Sequence, residues 1–236
     1  MNGVASARMR GLAAPWLLLW LVLAAMVLAV LGAGVGSTGF GSVWKAHADP
    51  LAWQIVMEIR LPRTAGALLA IGLLGLAGAI AQGVFRNPLA DPYLLGSASG
   101  ASLGVAAALA LFGAAPATAW LAKLGLTGAA FVGAVVAVLL TLQLARGVQH
   151  TLRLLLAGVI VGVVLGAIKD LITLASPDII AAMQGFNLGS AGFIGWASCV
   201  LMLLAWCVCM AGAWVFSRAL DGLSLGEATA ASLGLP

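Results

Sequence analysis

Charges fall at wide intervals along this chain. No Asp, Glu, Lys or Arg occurs between Arg10 and Lys45, between Arg63 and Arg86, between Asp91 and Lys123, between Lys123 and Arg146, or between Asp178 and Arg218. Each of these apolar stretches exceeds the roughly 20 residues that carry a helix across a ~30 Å hydrocarbon core. A shorter apolar run begins after Arg153 and reaches Lys169 and Asp170, which puts those two charges near one membrane face. The pattern predicts about six membrane-spanning helices, near 13–35, 64–85, 94–113, 124–145, 153–172 and 196–217. The expected fold class is an all-α polytopic membrane protein.

Composition leaves no room for a water-facing alternative. Of 236 residues, 63% are apolar and 8% are charged, against about 25% charged in soluble domains. The net charge of +4 comes without a basic cluster that could track phosphates, so nucleic acid is not an expected partner; the lipid bilayer is. Arg8 and Arg10 stand before the first span, but its apolar run is too long for a signal-peptide core, so a retained helix is expected. With the N-terminus in the cytoplasm, the inner segments would hold Arg8, Arg10, Arg86, Arg146, Arg153 and Arg218. The outer ones would hold Lys45, Arg60, Arg63 and Lys123. This is a weak positive-inside bias. Trp16, Trp20, Trp120, Trp196 and Trp214 fall near span ends, where an indole suits the headgroup layer. The stretch Trp53–Ile59, in the first outer connection, reads as a short helix lying on the membrane.

Small residues recur every four positions: Gly96, Gly100 and Gly104; Gly158, Gly162 and Gly166; Gly75, Ala79 and Gly83. Positions four apart share a helix face, and a groove of small residues lets backbones approach where hydrophobicity cannot drive association. These series predict a tight bundle and say nothing of its cargo. Cys199, Cys207 and Cys209 all fall in the last span, without zinc spacing, and read as small apolar fillers. His47 and His150 are isolated, so no metal site is expected. Lys169 and Asp170 fit an interfacial pair or, less simply, a proton or ion relay. No phosphate-binding loop and no nucleophile–base pair occurs, so neither a catalytic site nor a cofactor is expected.

Polar punctuation is densest from Arg60 to Leu103. Arg60-Leu-Pro-Arg63 opens a span, with Pro62 suited to a first helical turn. Asn87-Pro88 and Asp91-Pro92 end one helix and start the next, because the residue before a proline avoids the helical region. After Arg218 the chain turns small and polar, and Ser224 to Glu227 has capping-box spacing. Residues 219–236 read as a pair of short surface helices or as a frayed tail.

Together these motifs resemble those of the FecCD-type permease subunits of ABC importers for iron-siderophores, haem and vitamin B12. The resemblance rests on Arg60-Leu-Pro-Arg63, on Gln82 with Asn87-Pro-Leu-Ala-Asp-Pro92, on Gly96 with Gly100-Ala101, on Arg153-Leu-Leu-Leu-Ala-Gly158, and on Leu223-Ser-Leu-Gly-Glu-Ala228 with Ala231-Ser-Leu-Gly234. It runs in order along nearly the whole chain.

The resemblance implies a permease that works as a dimer with a second copy, in a bacterial inner membrane, with its N-terminus cytoplasmic. It implies a separate ATPase subunit inside and a periplasmic binding protein outside, so this chain would not itself be an enzyme. It also implies roles. Leu223, Ser224, Leu225, Gly226, Glu227, Ala230, Leu233 and Gly234 match coupling helices that seat in the ATPase. Arg60 and Arg63 match docking points for acidic residues of the binding protein, a task suited to guanidinium forks; snorkelling to headgroups is the plainer alternative. Thr151 falls where the family narrows its cytoplasmic gate, although Gln149 and His150 depart from the pattern. Asn87, Pro88 and Pro92 match a structural turn. Family members usually have about ten spans, so this single permease domain, residues 1–236, is expected to be incomplete at its C-terminus. Two other readings stay open: an ion-coupled secondary transporter, and a truncated remnant needing a separate second half.

Overall fold

The computed structural model describes residues 2–36, 39–40, 49–113, 120–146, 151–192 and 194–224. It is helical almost throughout. Helix α1 spans Asn2–Gly34. A two-residue antiparallel pairing follows, with β1 (Val35–Gly36) against β2 (Gly39–Phe40). Helix α2 runs unbroken over Pro50–Phe85. Next come α3 (Ser97–Phe112), α4 (Trp120–Leu144) and α5 (Thr151–Ala175). A 3-10 turn at Pro177–Ile179 leads into α6 (Ile180–Leu188), and α7 covers Trp196–Ser224.

Among the described residues, five helical stretches are long and apolar enough to cross a membrane: Pro15–Gly34, Pro50–Phe85, Gly125–Leu144, Leu152–Ala175 and Trp196–Ser217. Within the 18-residue apolar window of each, only 6–17% of the residues are buried within the chain. Trp16, Leu18, Phe131, Val163, Val208 and Phe216 are all well exposed. Water would not tolerate so much apolar surface, whereas lipid does. The protein is an all-α polytopic membrane protein.

Three boundaries differ from the sequence reading. The stretch Trp53–Ile59 is not a separate surface helix. Asp49 caps it, its Oδ1 accepting from Leu51 N at 3.0 Å, and Pro50 takes the first position. The backbone then continues through a π-helical turn, Val56–Arg60, into the long apolar part of α2. Pro62 therefore lies inside a helix and not at its start. A proline ring in a regular helix collides with the carbonyl four residues back. The wider π turn just before it, where Leu61 N donates to Val56 O, loosens that register.

The third difference is α3, which begins at Ser97. Gly96 has φ +77, a left-handed conformation that suits glycine. Gly113, also at φ +77, ends the helix. Its 16 residues make a rod of about 24 Å, short of a full crossing.

The chain divides into two compact units: Met1–Leu73 with Ala191–Met210, and Leu74–Ser190 with Ala211–Pro236. In the second, α3 packs against α4 and α5. Val105, Ala106 and Leu109 of α3 form a core with Ile179 and Met183. A methyl added at Gly100 would strike the Gly133 carbonyl and Ala137, and one at Gly104 would strike the Ala129 carbonyl. Gly158 meets the Leu94 carbonyl in the same way. Thr141, fully buried, donates from Oγ1 to Leu95 O at 3.0 Å. The first unit is joined differently. Gly66 and Gly72 receive the side chains of Ile194 and Trp206, and Gly32 receives that of Thr64.

Candidate functional site

Arg60 and Arg63 flank Pro62 at the junction of the π turn with the rest of α2. They do not share an environment. Arg60 is half-buried, and its Nη1 donates to Gly34 O at 3.3 Å. Gly34 is the last residue of α1, where carbonyls lack helical partners and the helix dipole is negative. Arg60 thus closes the end of α1. Arg63 is exposed. Thr64 folds back on the same turn, its Oγ1 donating to Arg60 O at 2.9 Å.

The same junction is held from α7. Leu61 N donates to Val56 O, a bond to the fifth residue back. In that register the next donor would be the N–H of residue 62 and its acceptor Met57 O. Proline has no N–H. The indole Nε1 of Trp196 donates to Met57 O instead, at 3.0 Å. Three residues further along α7, the buried Cys199 Sγ donates to Pro62 O at 3.1 Å. The sequence reading placed Trp196 in the headgroup layer and Cys199 among the fillers. Cys199 does fill, and it also bonds. Cys207 and Cys209 are exposed.

The turn between α2 and α3 is built from short-range hydrogen bonds. Arg86 adopts φ +50 just past the end of α2. Asn87 N reaches back to Gln82 O at 3.2 Å, and Arg86 N to Gly83 O at 3.4 Å. These are the two bonds of a Schellman closure. Asn87 Oδ1 then accepts from Leu89 N at 2.9 Å, and Asp91 Oδ1 from Tyr93 N at 2.6 Å. Each folds the chain around the proline after it, Pro88 or Pro92, as Asx turns do. Beside this turn is an open cleft of about 430 Å³, whose lining includes Asp91, Tyr93, Leu94, Ser99, Gly158 and Val159. The sequence reading did not anticipate it.

Other candidates are dispersed. Lys169 Nζ lies 2.5 Å from Asp170 Oδ1, with the aspartate side chain 72% exposed; the two charges satisfy each other on the surface of α5. Thr151 is the first residue of α5, far in sequence from Arg60 and Arg63. Residues 219–224 continue α7 and do not open a separate helix; no proline interrupts them, and the lone Gly222 costs a helix only about 1 kcal/mol. Leu223 and Ser224 end that helix, while Leu225, Gly226, Glu227, Ala230, Leu233 and Gly234 lie outside the described residues. His47 and His150 lie outside them as well. Among the described residues, no group of three or more His, Cys, Asp or Glu side chains is placed to hold a metal.

Comparison with known proteins joins these scattered features. The chain is 38% identical over 229 residues to the ferric enterobactin transport system permease protein FepD of Escherichia coli (strain K12), covering 95% of this chain and 67% of that protein. It is 37% identical over 226 residues to the vitamin B12 import system permease protein BtuC of Salmonella paratyphi A (strain ATCC 9150 / SARB42), covering 92% of this chain and 65% of that one. The chain thus spans about two thirds of the length of these relatives. Its fold matches an inward-facing conformation of an ABC transporter assigned to the metal-chelate type, with a TM-score of 0.80 and 25% identity over 94% of this chain and 68% of the other. The sequence pattern of the FecCD transport family matches residues 20–236. By that match and by its identity to these relatives, the chain belongs to the FecCD transport family.

Proposed function

We propose that the chain serves as membrane permease in an ATP-driven importer of metal chelates or of vitamin B12. The observation that carries this reading is the agreement of fold with a metal-chelate type ABC transporter over 94% of the chain, joined to close relatives that import ferric enterobactin and vitamin B12. ATP hydrolysis belongs to a partner subunit. The permease supplies alternating access, biased by contacts that differ between its states. It works as a dimer in a bacterial inner membrane, with its N-terminus in the cytoplasm.

Roles follow from motif and environment. Residues Leu223–Gly234 seat in the ATPase subunit. Arg63, exposed beside the π turn, receives acidic residues of a periplasmic binding protein, with Arg60 next to it. Asn87, Pro88 and Pro92 hold the turn between α2 and α3, and Thr151 stands at the cytoplasmic gate.

The test is co-purification from membranes. The tagged permease should retain its cognate ATPase, and removal of Leu223–Gly234 should abolish that association while the protein stays in the membrane. Retention of the ATPase after the deletion would refute the coupling assignment. Uptake that persists without ATP would refute the importer itself.

A further inference from the structure

The π turn of α2 joins three features that nothing in the family match explains together. Pro62 removes a donor, Trp196 replaces it at Met57 O, and Cys199 holds the Pro62 carbonyl. Both donors lie on the first turn of α7, and the two carbonyls bracket Arg60 in sequence. Gly66 meets Ile194, just before α7, leaving no room there for a larger side chain. The stretch of α2 that carries the arginines is therefore tied to the start of α7 by side-chain-to-backbone bonds. From Trp196 the helix is unbroken to Ser224, where the segment matched to the ATPase-docking helices begins. Helices transmit displacement along their axes because each turn is hydrogen-bonded to the next.

We propose that Trp196 is a positioning residue that couples the arginine-bearing π turn of α2 to α7, by standing in for the N–H that Pro62 lacks. The proposal rests on the importer reading. A partner that grips Arg63 pulls on the π turn. The π turn holds α7 through Met57 O. Without the indole donor, Met57 O loses its partner and the π turn is free to shift without moving α7.

The chemistry supplies its own control. Pro62→Ala restores an N–H at the position from which the backbone itself can satisfy the carbonyl. Trp196→Phe keeps an aromatic ring and deletes only the donor. The experiment uses the complete permease–ATPase complex in liposomes and measures ATP hydrolysis with and without the binding protein. Trp196→Phe should leave basal hydrolysis and assembly unchanged and cut the stimulation by binding protein about fivefold, the scale of one net hydrogen bond in a coupling free energy. Pro62→Ala with Trp196→Phe should recover most of it. Full stimulation in Trp196→Phe would overturn the proposal. So would a loss that Pro62→Ala does not repair, since ring packing and not the donor would then be responsible. A wild-type complex that no binding protein stimulates would instead overturn the importer reading beneath it.

Discussion

The two compact units of this protein solve the same problem by different chemistry. Helices in lipid gain little from hiding apolar side chains, because the solvent is apolar too. In the second unit, α3, α4 and α5 come together backbone to backbone. Gly100 and Gly104 face the Gly133 and Ala129 carbonyls, and Gly158 faces the Leu94 carbonyl, with only the Ala137 methyl as a side-chain neighbour at Gly100. In the first unit, glycines receive side chains: Ile194 at Gly66, Trp206 at Gly72 and Thr64 at Gly32. There the specific bonds run from side chain to backbone, from Trp196, Cys199 and Arg60. Backbone-to-backbone contact is rigid, because neither partner can rotate away. Side-chain-to-backbone contact can yield, and it lies beside the π turn and the exposed Arg63.

That contrast predicts a ranking of mutational damage. The largest effect belongs to Gly133→Val. The new Cβ falls on the Gly100 carbonyl, which has no rotamer to escape into. The expected loss is about 3 kcal/mol, at the upper end for overpacking, read as a collapsed thermal midpoint in detergent. A mild effect would mean that the second unit is softer than its backbone contacts suggest. Next comes Thr141→Val, which keeps volume but removes the donor to Leu95 O. A cost of about 1 kcal/mol is expected, seen in the same melting experiment.

In the first unit, Arg60→Gln should cost roughly 0.5–1 kcal/mol by releasing the end of α1, whereas Arg63→Gln should leave stability unchanged. Binding-protein affinity sharpens this pair, because Arg63→Gln should weaken it and Arg60→Gln should weaken it less. Equal effects of both on stability would erase the distinction drawn between them. The smallest change is Gly75→Ala, since an added methyl there meets nothing within 4 Å. Thermal unfolding should move by about 0.5 kcal/mol or less, in the stabilising direction that helix propensity favours.

The Gly75 case also shows how far pattern reading reaches. Three small-residue series stand in the sequence with the same spacing. Two of them, Gly96–Gly104 and Gly158–Gly166, lie where helices cross within the chain. Gly75 of the third meets nothing within it. Spacing reveals that a face is smooth, and it cannot reveal whether a neighbour lies against it. The arginines carry the same lesson. Arg60 and Arg63 look equivalent in the motif, yet one caps α1 and the other is exposed, because the distinction depends on a carbonyl 26 residues away.

What the sequence determined by itself is the solvent and five of the six spans it predicts, α3 being too short for a full crossing. Charge is so costly in hydrocarbon that its absence over 20 or more residues marks a crossing, and local turn chemistry at Asn87-Pro88 and Asp91-Pro92 marks where helices stop. The ordered motifs added the family. Only the tertiary structure decided that Pro62 sits inside a helix, that a π turn accommodates it, and that Trp196 supplies the donor it lacks. A proline's missing N–H is visible in the sequence. The group that replaces it comes from a helix more than a hundred residues later, and only folding brings the Trp196 indole to 3.0 Å from Met57 O.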